Sequence, residues 1–193
     1  TTTIGDIEGD SVVFAIGSWS KRLEDWIGMD VPVEPLKGQT IHLQIPGPPL
    51  PCNIHHGSNY VAPKIGGTVI SGTFDGYLGF DTTIHEEGNE FITQGVQNIC
   101  PGILESKVVS YVTGLRPASA DWLPIIGPIP EIDGAYIATG HQRLGITLSA
   151  ITGELISELI LRGESRLSLE PFRLARFAGK PIDMGKDRFG VVH

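Results

Sequence analysis

Polar and apolar residues alternate most regularly over residues 40–45, where Thr40, His42 and Gln44 interleave with Ile41, Leu43 and Ile45. A period of two predicts a strand with one wet face. Residues 12–15 are instead uninterruptedly apolar and run into Ile16-Gly17-Ser18. That pattern predicts a buried strand ending at a small, turn-forming junction. Residues 20–28 predict a short helix with Ser18 or Ser20 as N-cap and Gly28 as its stop. After a PGPPLP loop, two short strands about Ile65-Gly66-Gly67 predict a hairpin. Residues 85–99 form a weakly amphipathic helical pattern through Phe91, Ile92, Val96 and Ile99, closed by Pro101-Gly102. A strand follows in SKVVSYVTGLRP, then a hairpin in IIGPIPEIDGAYIATG turning at 130–134. The last long element, GITLSAITGELISELILRG, repeats Leu148, Ile151, Leu155 and Leu159 at helical spacing and stops at Gly163. Strands outnumber helices, so the fold class expected is α+β with a mostly antiparallel middle.

Composition narrows the function classes. The 193 residues carry a formal charge of −8, and the longest Lys/Arg run is Lys21-Arg22. A nucleic-acid surface needs a clustered basic footprint, which is missing. The 25 glycines and 14 prolines are dispersed, implying many turns and close backbone approaches rather than a low-complexity tract. Uninterrupted apolar runs fall well short of the roughly 20 residues that span a bilayer, so no transmembrane segment is expected. TTTIGDIEGD lacks the basic region and apolar core of a signal peptide. Cys52 and Cys100 form no CxxC pair; two free thiols in a reducing cytoplasm are expected over a disulfide. His55-His56 reads as an exposed loop pair rather than a metal half-site, and no metal is expected. Walker, zinc-ligand and GxSxG patterns are absent.

Two stretches could carry chemistry. In ATGHQRLGIT an apolar strand meets Thr139-Gly140, and a helix begins near Ile146 after a short turn. The first amides of a helix lack intrahelical partners and lie at its positive end, where an anion or delocalised negative charge is favoured. The alternative is a turn whose glycines only solve geometry. In GLRPASADWLPIIGP, Pro117 holds Arg116 out of the α region. Its planar fork matches a carboxylate; the alternative is an ion pair with Asp121. Tyr60 could offer its hydroxyl to the same anion, or serve as an amphipathic sheet residue.

The ordered set SVVFAIGSWS, VPVEPLKGQTIHL, NYVAPKIGGTVISGTFDGYLGFD, GLRPASADWLPIIGP and GAYIATGHQRLGITLSAITGELISELI resembles the D-amino-acid-oxidase-like flavoproteins, which include glycine oxidase and the D-amino-acid dehydrogenases. The resemblance runs from about residue 9 to Phe177. It implies noncovalent FAD and oxidative deamination of glycine or a small D-amino acid. Arg116 then corresponds to the arginine that clamps the substrate carboxylate, and Tyr60 to a tyrosine that helps hold it. Gly140, His141, Gln142, Arg143, Leu144, Gly145, Ile146 and Thr147 correspond to the segment around the flavin, and Gly17 to a second strand end beside it. No side-chain base is implied. Relatives that attach FAD covalently use a cysteine near the position of Gly114, which this chain lacks.

The chain departs from that pattern in two places. It contains no GxGxxG, the fingerprint of the βαβ unit that holds the FAD pyrophosphate. Leu144 stands where glycine oxidases tend to have asparagine. The expected architecture is therefore an antiparallel substrate-domain sheet at 34–113. Residues 1–33 and 114–178 would form the C-terminal part of a Rossmann-like FAD-binding domain whose N-terminal βαβ unit is absent, and 179–193 a loose tail. A Rossmann-bearing N-terminal segment or subunit is the expected partner. The competing functions are a quinone-linked dehydrogenase and a cofactor-free binding or interaction fragment.

Overall fold

The computed structural model describes residues 3–57 and 59–184. They fall into two compact units, one from Thr1–Pro35 and Arg116–Gly185, the other from Leu36–Leu115. Of the expected tail, residues 185–193 lie outside the described residues.

The first unit is built on a three-stranded sheet in the order β1-β8-β7, from β1 (Val12–Phe14), β8 (Ala135–Thr139) and β7 (Ile125–Pro128). β1 runs parallel to β8, and β7 and β8 form the expected antiparallel hairpin. Alternation sends the side chains of the hairpin to two cores. Ile125 and Ile137 face Leu23, Val33 and Leu174, whereas Ile126 faces Leu155, Ile156 and Leu159 of helix α3 (Gly145–Arg162). The helix ends as its glycine predicts: Gly163 has φ 76° and donates to the Leu159 carbonyl at 2.9 Å.

Two expectations for this unit need correction. β1 is not buried: Val12 and Val13 are 47% and 41% exposed, because β8 borders the strand on one side only among the described residues. The segment after it opens as a 3-10 turn over Gly17–Leu23, with only Glu24–Ile27 (α1) fully α-helical before Gly28 stops it at φ 67°. Ile16 occupies the N-cap position, so Ser18 and Ser20 both lie inside the turn. Separately, Gln142–Arg162 has the length and apolar composition of a membrane-crossing helix, which by themselves do not overturn the expectation of no transmembrane segment. Glu154 and Glu158 interrupt its apolar run, which hides that length from a count of consecutive apolar residues, and its buried side chains pack on β7.

The second unit is a five-stranded sheet in the order β3-β4-β5-β2-β6. Its strands are β2 (Val33–Gln44), β3 (Ile54–His56), β4 (Asn59–Pro63), β5 (Thr68–Gly76) and β6 (Lys107–Ser119). The β3–β4, β4–β5 and β2–β5 pairs are antiparallel. The alternation over 40–45 appears as expected, with Ile41 and Leu43 buried against Ile92 and Val96 of helix α2 (Glu86–Gln97). His55 and His56 do not sit in a loop; they lie on β3, and His55 stacks on Tyr60 with ring centroids 5.7 Å apart. Both cysteines are free thiols.

A buried cation braces this unit. Lys37 is 1% exposed, and its ammonium donates to Asp81 Oδ2 at 2.9 Å and to the Thr83 carbonyl at 2.5 Å. His85 Nε2 lies 2.7 Å from the same Asp81 oxygen. The Lys37 hydrogen bond, followed by those of Thr83 and His85, holds the Asp81 carboxyl well below the usual carboxylate range. A depressed carboxyl adds stability that is full above its unfolded value, about pH 4, and is lost as pH falls toward the folded value. Lys37→Met removes the principal cause, so its acid-unfolding midpoint, followed by circular dichroism, should move to higher pH than wild type. An unmoved midpoint would show that the pair does not govern acid stability.

Candidate functional site

The two glycine-ended strand junctions, far apart in sequence, meet in the first unit. Thr139, at the end of β8, donates from Oγ1 to the Gly17 carbonyl at 3.1 Å and lies 2.6 Å from Ser20 Oγ. Ser20 Oγ in turn donates to the Gly17 carbonyl at 2.6 Å. Gly17 and Gly140, at φ 58° and 74°, turn the chain sharply at the two ends. An isolated antiparallel bridge joins Ala118, near the end of β6, to His141.

These junctions border a groove of about 390 Å³, whose wall includes Val13, Ala15, Gly17, Pro117, Ala138 and His141. Gln142, Gly145, Thr152 and Gly153 complete its helical side. A short 3-10 turn over Gln142–Leu144 precedes α3, and the Leu144 amide already donates to the His141 carbonyl at 2.9 Å. Gln142 holds φ 49°, a left-handed conformation that costs a non-glycine residue roughly 1 kcal/mol or more. Its Nε2 is buried with no hydrogen-bond partner among the described residues. His141 Nε2 lies 3.0 Å from Thr152 Oγ1. Burial pushes the His141 pKa down against a weaker opposing effect of Thr139, which favours the neutral imidazole.

Four of the expected residues, Gly17, His141, Gln142 and Gly145, thus line one groove. Gly140 forms the adjoining turn, while Arg143, Leu144, Ile146 and Thr147 are exposed and are not among the lining residues. Arg116 is half-buried on β6, one residue before Pro117 of the groove wall. The alternative pairing of Arg116 with Asp121 meets a competitor: Asp121 accepts two bonds from Arg176, at 2.7 and 2.9 Å, and one from the Leu123 amide. Burial alone would raise the Asp121 pKa, but the Arg176 hydrogen bonds and charge leave it lowered. Tyr60 belongs to the second unit. There it lies across from Gly72, where an added Cβ would stand 3.0 Å from its hydroxyl oxygen. Thr139, Thr152 and Pro117 are part of the site without having been anticipated; only the Thr-Gly pair at a strand end hinted at the first.

The groove suits a flat, largely apolar ring system with polar edges. Its walls are mainly aliphatic, Gly17 leaves open space where a Cβ would stand, and Gln142, one of its lining residues, holds a buried donor unpaired among the described residues. An isoalloxazine ring has that character, so these residues fit FAD.

Residues 1–159 match the family model described as FAD dependent oxidoreductase. Among curated relatives, the chain is 33% identical over 180 residues to the glycine oxidase of Geobacillus kaustophilus, covering 93% of this chain and 48% of that protein. It is also 33% identical over 184 residues to hydrogen cyanide synthase subunit HcnC of Pseudomonas protegens, covering 94% and 44%. The crystal structure of the Geobacillus kaustophilus glycine oxidase superposes with a TM-score of 0.86 at 32% identity, over 90% of this chain and 47% of that one. The mixed α/β fold with antiparallel sheets is therefore shared, and the chain spans about half the length of these relatives.

Proposed function

The chain belongs to the FAD dependent oxidoreductase family, and on that premise we propose that it forms the flavin-flanking and substrate-clamping half of an enzyme that oxidatively deaminates glycine or a small D-amino acid. The first unit completes a Rossmann-like FAD-binding domain, whose βαβ part comes from a further segment or subunit. When bound, noncovalently, FAD supplies the two-electron redox chemistry.

Each of this chain's residues has a limited task. The Arg116 guanidinium receives the substrate carboxylate as a bidentate partner. Fixing the carboxylate orients the Cα–H bond, a positioning effect. Gln142 Nε2 and the amides entering α3 offer donors to the polar edge of the cofactor, at the positive end of the helix dipole. Neutral His141 adds no full positive charge to that edge. No side chain need act as base when the amine arrives unprotonated.

The observation that carries this reading is the convergence of Gly17, Thr139 and the unpartnered Gln142 amide on one groove. It is tested on the purified protein by absorbance, with flavin bands expected near roughly 370 and 450 nm, and by FAD titration. Gln142→Leu should weaken FAD binding by about tenfold, the worth of one hydrogen bond near 1.4 kcal/mol. A protein that stays colourless and refuses added FAD even with the βαβ-bearing segment supplied would sink the reading.

A further inference from the structure

A cavity of about 190 Å³ lies in the second unit between α2 and the sheet, bounded by β2, β5 and β6. Ile41, Ile92 and Val96 give it apolar walls, and none of its lining residues is charged. Ser71, Thr93, Ser106 and Tyr111 add hydroxyls to that lining, and the Thr93 hydroxyl donates to the Asn89 carbonyl at 2.7 Å. Ser71, at the centre of β5, is 0% exposed, and Ser106 immediately precedes β6. The Ser71 and Ser106 Oγ atoms are buried, and neither has a hydrogen-bond partner among the described residues. Buried hydroxyls are nearly always satisfied, by protein, water or ligand, because leaving one unpaired forfeits its hydration. Val108 and Tyr111 of β6, each 42% exposed, form the side of the cavity nearest solvent.

The cavity is separate from the face that carries Tyr60. Ser71 pairs across strands with Ile41 and Val61, whose side chains face α2. Its neighbour Gly72 turns the other way, toward Tyr60 and Thr40. Size limits the occupant: a dry cavity of about 150 Å³ holds benzene. The absence of charge in the lining excludes an ion. A hydroxyl on the occupant can donate to one serine and accept from the other.

We propose that this cavity binds a small neutral alcohol of phenol size, with its ring or branched chain against α2 and its hydroxyl bonded to Ser71 and Ser106. Phenol and benzene are suitable probes, titrated into the full chain by calorimetry with saturation-transfer NMR as a second readout. Phenol should bind saturably and at least about tenfold more tightly than benzene, the equivalent of one good hydrogen bond. Ser71→Ala, close to isosteric and so compatible with the fold, should cut that preference to threefold or less while benzene binding persists. Cyclohexanol should displace phenol. Three results would overturn the proposal: no saturable phenol binding, as for a cavity holding water only; equal affinity for the two probes; or a preference for phenol that survives Ser71→Ala combined with Ser106→Ala. Because the readout does not depend on flavin, failure here leaves the oxidase reading standing.

Discussion

Arg116→Lys in the flavin-loaded protein is expected to raise KM for glycine or a small D-amino acid by roughly tenfold to a hundredfold, with kcat changed much less. The reasoning is geometric. A guanidinium presents two parallel N–H donors to two carboxylate oxygens, whereas an ammonium offers a point charge at the end of a flexible chain. The carboxylate is not the reacting group, so its contacts are made about equally in ground and transition states. Losing part of them shows in KM. The positioning role proposed above adds a smaller fall in kcat, because a point charge fixes the Cα–H orientation less firmly than the fork. Unchanged kinetics would remove Arg116 from the site.

Asp121 sharpens that test. It is held by Arg176 through two hydrogen bonds, with the Leu123 amide as a third donor. Arg176→Met would free the Asp121 carboxylate next to the β6–β7 connection, five residues from Arg116. An indirect effect of Arg116 on that turn would therefore be mimicked by the Arg176 variant, and a direct carboxylate contact would not.

Short-range pattern accounts for most of what could be read from the sequence. The two-residue period at 40–45, the glycine turns at 66–67 and 134, and the stop at Gly163 each lie within one element, where a residue's own conformational preference decides the outcome. The misreadings are non-local. Residues 12–15 look like a buried strand, yet burial depends on what covers both edges, and no run of valines encodes its neighbours. β3 is only three residues long, too short for alternation to register. The Arg176–Asp121 pair spans 55 positions and the Thr139–Gly17 bond 122, and neither leaves a periodic trace. Leu169 and Leu174 are buried, although 3-10 turns around Pro171 and Arg176 break any helical spacing that would mark them as core. The candidate site follows the same division. Its glycines and the start of α3 are legible as a strand–turn–helix junction, but the strained Gln142 and its unpartnered amide emerge only from the packed structure.

Gly140→Ala is the second large effect expected, a loss of about 2–5 kcal/mol in stability. Gly140 sits at φ 74°, where an alanine costs roughly 1–2 kcal/mol. A Cβ there would also stand 3.1 Å from Ser119 Cβ and 3.4 Å from the Ile125 amide nitrogen. Ser119 is fully buried and bonded to the Leu123 carbonyl, and Ile125 opens β7, so neither can retreat without disturbing the sheet. Overpacking of that kind typically adds about 1–3 kcal/mol. Gly17→Ala separates the two contributions. Its φ of 58° carries the same conformational cost, but nothing lies within 4 Å of the added methyl, so its loss should stay near 1–2 kcal/mol. That methyl would instead occupy the groove, and FAD binding should weaken more than stability does. Chemical denaturation and flavin titration of the pair distinguish steric overlap from a blocked cofactor site. Equal losses of stability in the two variants would show that the Ser119 contact relaxes and that φ alone selects glycine at the end of β8.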